Sequence, residues 1–305
     1  MQGIELARKF YEICGIPMLT EQFPSVIDRI AVGLVGEGSE CLGFDDDISQ
    51  DHDFEPGFCL FVTRDDYEQF GFALERAYAK LPKTFEGFRR ETLSPVGGNR
   101  HGVLVIEDFY TRFLGAPHAP ESPDHWLQIP SSALRSATSG EIWRDDLGLF
   151  SKTRDTLLAG YPQDVRLKKL AAHAIGMAQS GQYNLHRCLK RGEVGAAGLC
   201  CGQFVRHAIS AVYLLNNTYE PFYKWAYRGM RDLPLLSGLE QELIRLPKSD
   251  DPAAVVEMIA EKFAKAFRLQ GISGVAGSDL SAHAYEMTRH IKDGQIRNLH
   301  IMDGI

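Results

Sequence analysis

A chain of 305 residues with 44% hydrophobic and 24% charged residues has the make-up of a folded globular protein, long enough for two domains of ordinary size. Its formal charge of -7 argues against a surface built to coat an extended nucleic acid, and the first sixteen residues carry acids within their apolar pattern, unlike a secretion signal. With no apolar run approaching the roughly 18 residues that span a bilayer, no membrane partner and a cytoplasmic location are expected.

The six cysteines show no C-x-x-C pair and read as reduced packing thiols. Apolar spacing predicts a helix over 4–16 and a short second helix after Pro24, capped by Ser25. The glycine-closed apolar stretch 30–36 and the stretch 58–63 predict buried strands, and the amphipathic run 65–80 predicts a helix ended by Pro82. A third strand is expected at 102–107, followed by a short helix with Asp108 as its N-cap and Gly115 as its stop. The proline-rich segment 116–126 predicts a loop or lid. Beyond residue 150, helices are expected at 153–159, 165–191, 196–216, 221–230, 238–246 and 253–269, with no strand among them. The fold class is therefore α+β: a mixed sheet with helices over 1–150, then an all-α helical bundle over 151–305.

Between the first two strands, the stretch 36–54 gathers Glu40, Asp45, Asp46, Asp47, Asp51 and Asp53 beside a Gly-Ser pair. Asp45, Asp46 and Asp47 fit a solvated, turn-forming loop. Asp51 and Asp53 stand at i and i+2, so on an extended segment both carboxylates point the same way. Each then opposes ionisation of the other unless a cation lies between them. Mg²⁺ suits such a pair, because it takes one or two carboxylates and completes its shell with water and substrate phosphates. Upstream, Gly38 and Ser39 offer backbone N–H groups and a small hydroxyl that a phosphate can approach closely.

These residues, Gly38-Ser39 followed after the gap 40–50 by Asp51-His52-Asp53, resemble the G-S and D-x-[DE] signature of the DNA polymerase beta-like nucleotidyltransferase superfamily. The resemblance implies a nucleotidyltransferase-fold sheet, Mg²⁺ held by Asp51 and Asp53, and an NTP, with ATP the first candidate, held at Gly38 and Ser39. His52 departs from the apolar residue usual between the two acids. The stretches 140–162, 179–193 and 213–228 are similar to a bacterial family, distantly like aminoglycoside and lincosamide nucleotidyltransferases, whose C-terminal half is catalogued as a domain of unknown function.

The superfamily's third carboxylate is assigned to Glu107, which shares a strand face with Val103 and Val105; Asp108 and Glu193 are the alternatives. In the helical half, Gln179, Tyr183 and Arg187 form one polar stripe, facing either solvent or a cleft. On the cleft reading Arg187 and Lys168 would pair with phosphates, as would Lys224, which core packing explains as well. The acceptor would lie between the halves against Tyr183, Asn184 and Trp225. The expected activity is Mg²⁺-dependent transfer of a nucleoside monophosphate from an NTP to a hydroxyl of a small hydroxylated acceptor. The alternatives are a non-catalytic nucleotide-binding protein on the same fold, and a nucleotidyltransferase toxin acting on tRNA or protein.

Overall fold

The computed structural model describes residues 1–50, 54–90 and 100–305. They form two compact units: Met1–Pro120 with Ala133–Ala159, and Glu121–Ser132 with Gly160–Ile305.

The first unit is built on a four-stranded sheet of β1 (Ala31–Val35), β2 (Cys59–Val62), β3 (Gly102–Val105) and β4 (Gly140–Arg144), in the order β3-β2-β1-β4. β1 runs antiparallel to both β2 and β4, and β2 runs parallel to β3. Side chains alternate across a strand, so Phe58, Leu60 and Val62 face one side and Phe61 the other. The first side packs with Ile30 and Val32 against Phe10, Tyr11, Leu19, Leu74 and Tyr78. Those residues come from α1 (Gly3–Phe10), its continuation through a π-helical turn at Tyr11–Gly15 into Ile16–Gln22, and a later helix, Phe72–Ala79. Gly15 is required there, since a Cβ would stand 2.7 Å from the Phe58 ring. On the opposite side Phe61 meets Phe109 and Phe150, with ring centroids 5.2 and 4.2 Å away. Cover on both faces explains why β1 and β2 are unbroken apolar runs.

Three local expectations give way, and one strand goes unannounced. After Pro24 the chain forms a 3-10 turn, Ile27–Arg29, whose N-cap is Val26, in place of a helix capped by Ser25. The third strand stops at Val105, which is the N-cap of the helix Ile106–Leu114; Asp108 lies inside that helix, while Gly115 closes it at φ 73° as expected. Segment 116–126 is not all loop, because Ser122 caps the helix Pro123–Gln128 and Trp126 is buried. Finally β4 joins the sheet, an element the pattern G-E-I-W-R does not announce: every one of its residues is only half-buried.

The second unit is helical among its described residues. Gln163–Met177 continues through a π-helical stretch, Ala178–Leu185, into His186–Lys190, where one unbroken helix is expected from the sequence. It packs against Val194–Leu215 and against Leu280–Arg289, and Pro252–Leu269 lies along the π-helical stretch. Small residues set the approach: a Cβ at Gly176 would meet the His207 ring, and one at Gly181 would meet Phe204 and Val256. Asp251 and Asp279 cap the last two of these helices by accepting N–H bonds in their first turns. Val194–Leu215 is long and apolar enough to cross a membrane, yet 56% of its apolar window is buried inside the protein, as befits the core helix of a bundle.

Candidate functional site

β1 delivers the chain into a turn that only glycine can make. Gly36 and Gly38 have φ of 126° and 134°, and Gly38, at ψ 151°, sits in a region of backbone space essentially closed to other residues. A Cβ at Gly38 would also collide with the Arg100 guanidinium and the Glu40 carboxylate. Ser39 opens the short helix Ser39–Leu42, and Gly43 ends it in the left-handed conformation. Arg100, at the start of β3, braces the turn by pairing with Glu40 and donating to the Glu37 carbonyl. Gly38→Ala is expected to cost about 1–3 kcal/mol of stability in urea unfolding. Gly43→Ala, at φ 70° with open space around it, should cost less.

The acidic loop that follows is partly structural. Asp46 caps the turn at Ile48–Gln50, its Oδ1 accepting from the backbone and hydroxyl of Ser49 and from the Ile48 backbone, all at 3.1 Å. Asp45 Oδ2 accepts from the Gly3 backbone at 2.7 Å, and its Oδ1 is buried with no hydrogen-bond partner among the described residues. Asp51, His52 and Asp53 lie outside the described residues.

The flanks on either side of those three residues meet at one end of the sheet. Register pairs Ala31 with Phe61 and Gly33 with Cys59, so the end of β1 that leads into the Gly-Ser turn lies beside the start of β2. A Cβ at Gly3 would stand 2.8 Å from Glu40 and 3.3 Å from Phe54, placing both residues against the same point of α1. Phe54 is held further by the Phe88 ring, 5.0 Å away, and Glu55 pairs with His101 at 3.1 Å. Gly57 gives His101 room, because a Cβ would come within 2.7 Å of that imidazole.

Glu107 is not at this end. β3 runs parallel to β2 with Gly102 opposite Cys59 and Val105 opposite Val62, so the residues after Val105 lie at the far end of the sheet. There Glu107 occupies the first helical turn and accepts from the Arg64 backbone at 3.1 and 3.2 Å, while Asp108 pairs with the Arg64 side chain. The strand face assumed for Glu107 does not exist, because the chain is already helical at Ile106. The end of β3 beside the Gly-Ser turn carries Arg100 and His101, two residues that sequence reasoning passed over; the run R-H immediately before an apolar strand was the available signal.

A cavity of about 410 Å³ runs between the sheet and the helix Ile106–Leu114 from Gly36 and Glu37 toward Arg64. Three arginines line it, each already matched to a carboxylate: Arg64 to Asp108, Arg112 to Glu37, and Arg100 to Glu40. Among the described residues no group of three or more His, Cys, Asp or Glu side chains is placed to hold a metal ion. Burial pushes the Cys59 thiol up to about 12 and holds Cys41 well above its ordinary value.

In the helical unit the selected residues scatter. Lys168 is fully buried and donates to the carbonyls of Leu299 and His300, so it ties down the C-terminal turn. Tyr183 and Asn184 fall in the π-helical stretch; Tyr183 is exposed under Arg187, whose guanidinium lies 5.0 Å from its ring. Lys224 is exposed over the half-buried Trp225, 5.5 Å from the ring, and Glu193 is the exposed N-cap of Val194–Leu215. Gln182, not Gln179, carries the structural load of that helix, bonding Glu257, the Ser278 carbonyl and the Leu280 backbone.

A family model described as a domain of unknown function (DUF4037) matches residues 126–226, a third of the chain, covering 126–132 and 160–226 of the second unit and 133–159 of the first. No curated protein and no solved structure matches the chain.

Proposed function

We propose that the chain is a Mg²⁺-dependent nucleotidyltransferase that moves a nucleoside monophosphate from an NTP to a hydroxyl of a small-molecule acceptor. The observation that supports this reading best is the antiparallel pairing of β1 with β2, which brings the glycine turn at Gly36–Ser39 beside the segment that follows the D-x-D residues in sequence. Gly38 and Ser39 would hold the triphosphate, with the Arg100 guanidinium bonded to the turn at the Glu37 carbonyl. Asp51 and Asp53 would hold Mg²⁺, which when bound neutralises phosphate charge and orients in-line attack at the α-phosphorus.

The test is pyrophosphate release from each NTP against a panel of hydroxylated acceptors, with and without Mg²⁺. The expected result is release that needs both the metal and one acceptor class. Glu107→Gln should leave that rate essentially unchanged, rather than lowering it by the roughly 10²- to 10⁴-fold that follows loss of a general base, because Glu107 serves the Arg64 backbone at the far end of the sheet.

A second reading draws on a specific observation. Where β3 approaches the Gly-Ser turn its described residues include Arg100, paired with Glu40, and His101, paired with Glu55, basic groups that attract phosphate. On that reading the chain binds nucleotide and does not transfer it. Calorimetric binding of a non-hydrolysable ATP analogue with no pyrophosphate release from any pairing would select it.

A further inference from the structure

The helical unit contains a second polar cavity, of about 350 Å³, which owes nothing to the nucleotide motif. Its wall includes Tyr161, Lys169, Arg206, Glu220, Phe222 and Tyr223. Glu220 is buried and fully engaged: one carboxylate oxygen takes the Arg206 guanidinium, the other takes the Ser210 hydroxyl, and its backbone N–H donates to Ser131 Oγ at 2.7 Å. Lys169 and Arg206 both line the cavity with Glu220, and Arg206 is the one paired with it.

Lys169 is a buried ammonium that, among the described residues, forms no ion pair. It is 7% exposed and donates to the carbonyls of Leu127 at 3.3 Å and Gly304 at 2.7 Å, with the Tyr161 ring centroid 5.6 Å away. Burial draws its pKa down to about 8. Its field reaches His173, which is held well below the ordinary histidine range by burial first, then by His207, Lys169 and Arg206. A buried positive charge that only neutral carbonyls solvate costs free energy until an anion arrives. At the rim, Phe222 and Tyr223 are 54% and 69% exposed with ring centroids 4.4 Å apart and planes tilted by 44°, two aromatic faces held in water. A cavity of this size suits a small ligand.

We propose that this cavity binds a small organic anion carrying a flat ring, its charged head drawn to Lys169 and its ring laid against Phe222 and Tyr223. The site lies within the helical unit and does not depend on the nucleotidyltransferase reading.

The experiment is calorimetric titration of the full chain with phenyl phosphate, with benzoate and with neutral benzyl alcohol. Saturable binding of one of the two anions is expected, at least about tenfold tighter than benzyl alcohol, since a charge-assisted contact is lost in the neutral probe. The tighter of the two identifies the head group. Lys169→Met should weaken that binding by about tenfold or more, and Phe222→Ala, at an exposed position that folding does not need, by about threefold or more. Asp51→Asn should leave it unchanged. Absence of saturable anion binding, equal binding of benzyl alcohol, or anion binding that Phe222→Ala leaves intact would each overturn the proposal. Should Lys169→Met fail to fold, the comparison of charged with neutral probes and the Phe222→Ala titration decide it.

Discussion

Asp51→Asn and Asp53→Asn are each expected to lower Mg²⁺- and NTP-dependent pyrophosphate release by about 10²- to 10³-fold or more, the range seen when one electrostatic contact to a developing charge is removed. Stability should not fall with activity. Two carboxylates at i and i+2 repel in the absence of a cation, so neutralising one relieves that repulsion. The pairing of lost turnover with an unchanged or slightly raised unfolding midpoint separates a ligand of the ion from a structural residue. Unfolding curves and initial rates on the same preparations measure both. Retention of the rate in either variant would remove the metal role assigned to that residue.

Phe58→Ala is expected to destabilise the first unit by about 3–5 kcal/mol. Phe58 is fully buried, and its ring lies 5.7 Å from Phe10, 5.3 Å from Tyr11 and 5.1 Å from Tyr78. Its backbone N–H donates to the Tyr78 hydroxyl at 3.0 Å, and Gly15 is shaped around its ring. Truncation leaves a cavity beneath the helix that crosses the sheet, at the start of the strand that carries the chain away from the acidic segment. Because whole domains are stable by only about 5–15 kcal/mol, one such loss takes a large part of the margin. Denaturant unfolding followed by a probe in each unit measures it, and a cost below about 1 kcal/mol would show that the sheet does not depend on this packing.

The parts of the fold written in single-element patterns were legible. β1 and β2 are apolar on both faces, and the long helices of the second unit carry their burial at helical spacing; each is visible in a window of ten residues or so. What depended on two elements meeting was not. The string V-L-V-I-E-D-F-Y-T-R-F-L satisfies a strand through Val103, Val105 and Glu107, and a helix through Ile106, Tyr110, Phe113 and Leu114. The helix prevails because all four of those residues are buried. That one junction moved Glu107 from the site to the far end of the sheet. Arg100 and His101 gain their meaning only from the parallel pairing of β3 with β2, a contact separated by some forty residues of chain. The strand β4 is half-buried along its length and lacks the alternation that would mark it.

The candidate site follows the same division. Gly38 was legible because a glycine before a serine at the end of a buried strand has a local reason, and the φ of 134° supplies it. Lys168 was not, because a lysine within a helix gives no sign that its ammonium will serve the carbonyls of Leu299 and His300, more than a hundred residues away. Lys169, Arg206 and Glu220 could not be gathered into one cavity before the helices were packed.

The central claim is that the Gly-Ser turn and the aspartate pair together bind a nucleotide and a divalent ion. The most direct measurement is the anomalous scattering of Mn²⁺ in crystals grown with a non-hydrolysable ATP analogue. One peak is expected between the carboxylates of Asp51 and Asp53, with the triphosphate seated on the backbone at Gly38 and Ser39. A nucleotide bound away from that turn, or Mn²⁺ held by other side chains with Asp51 and Asp53 unligated, would contradict it.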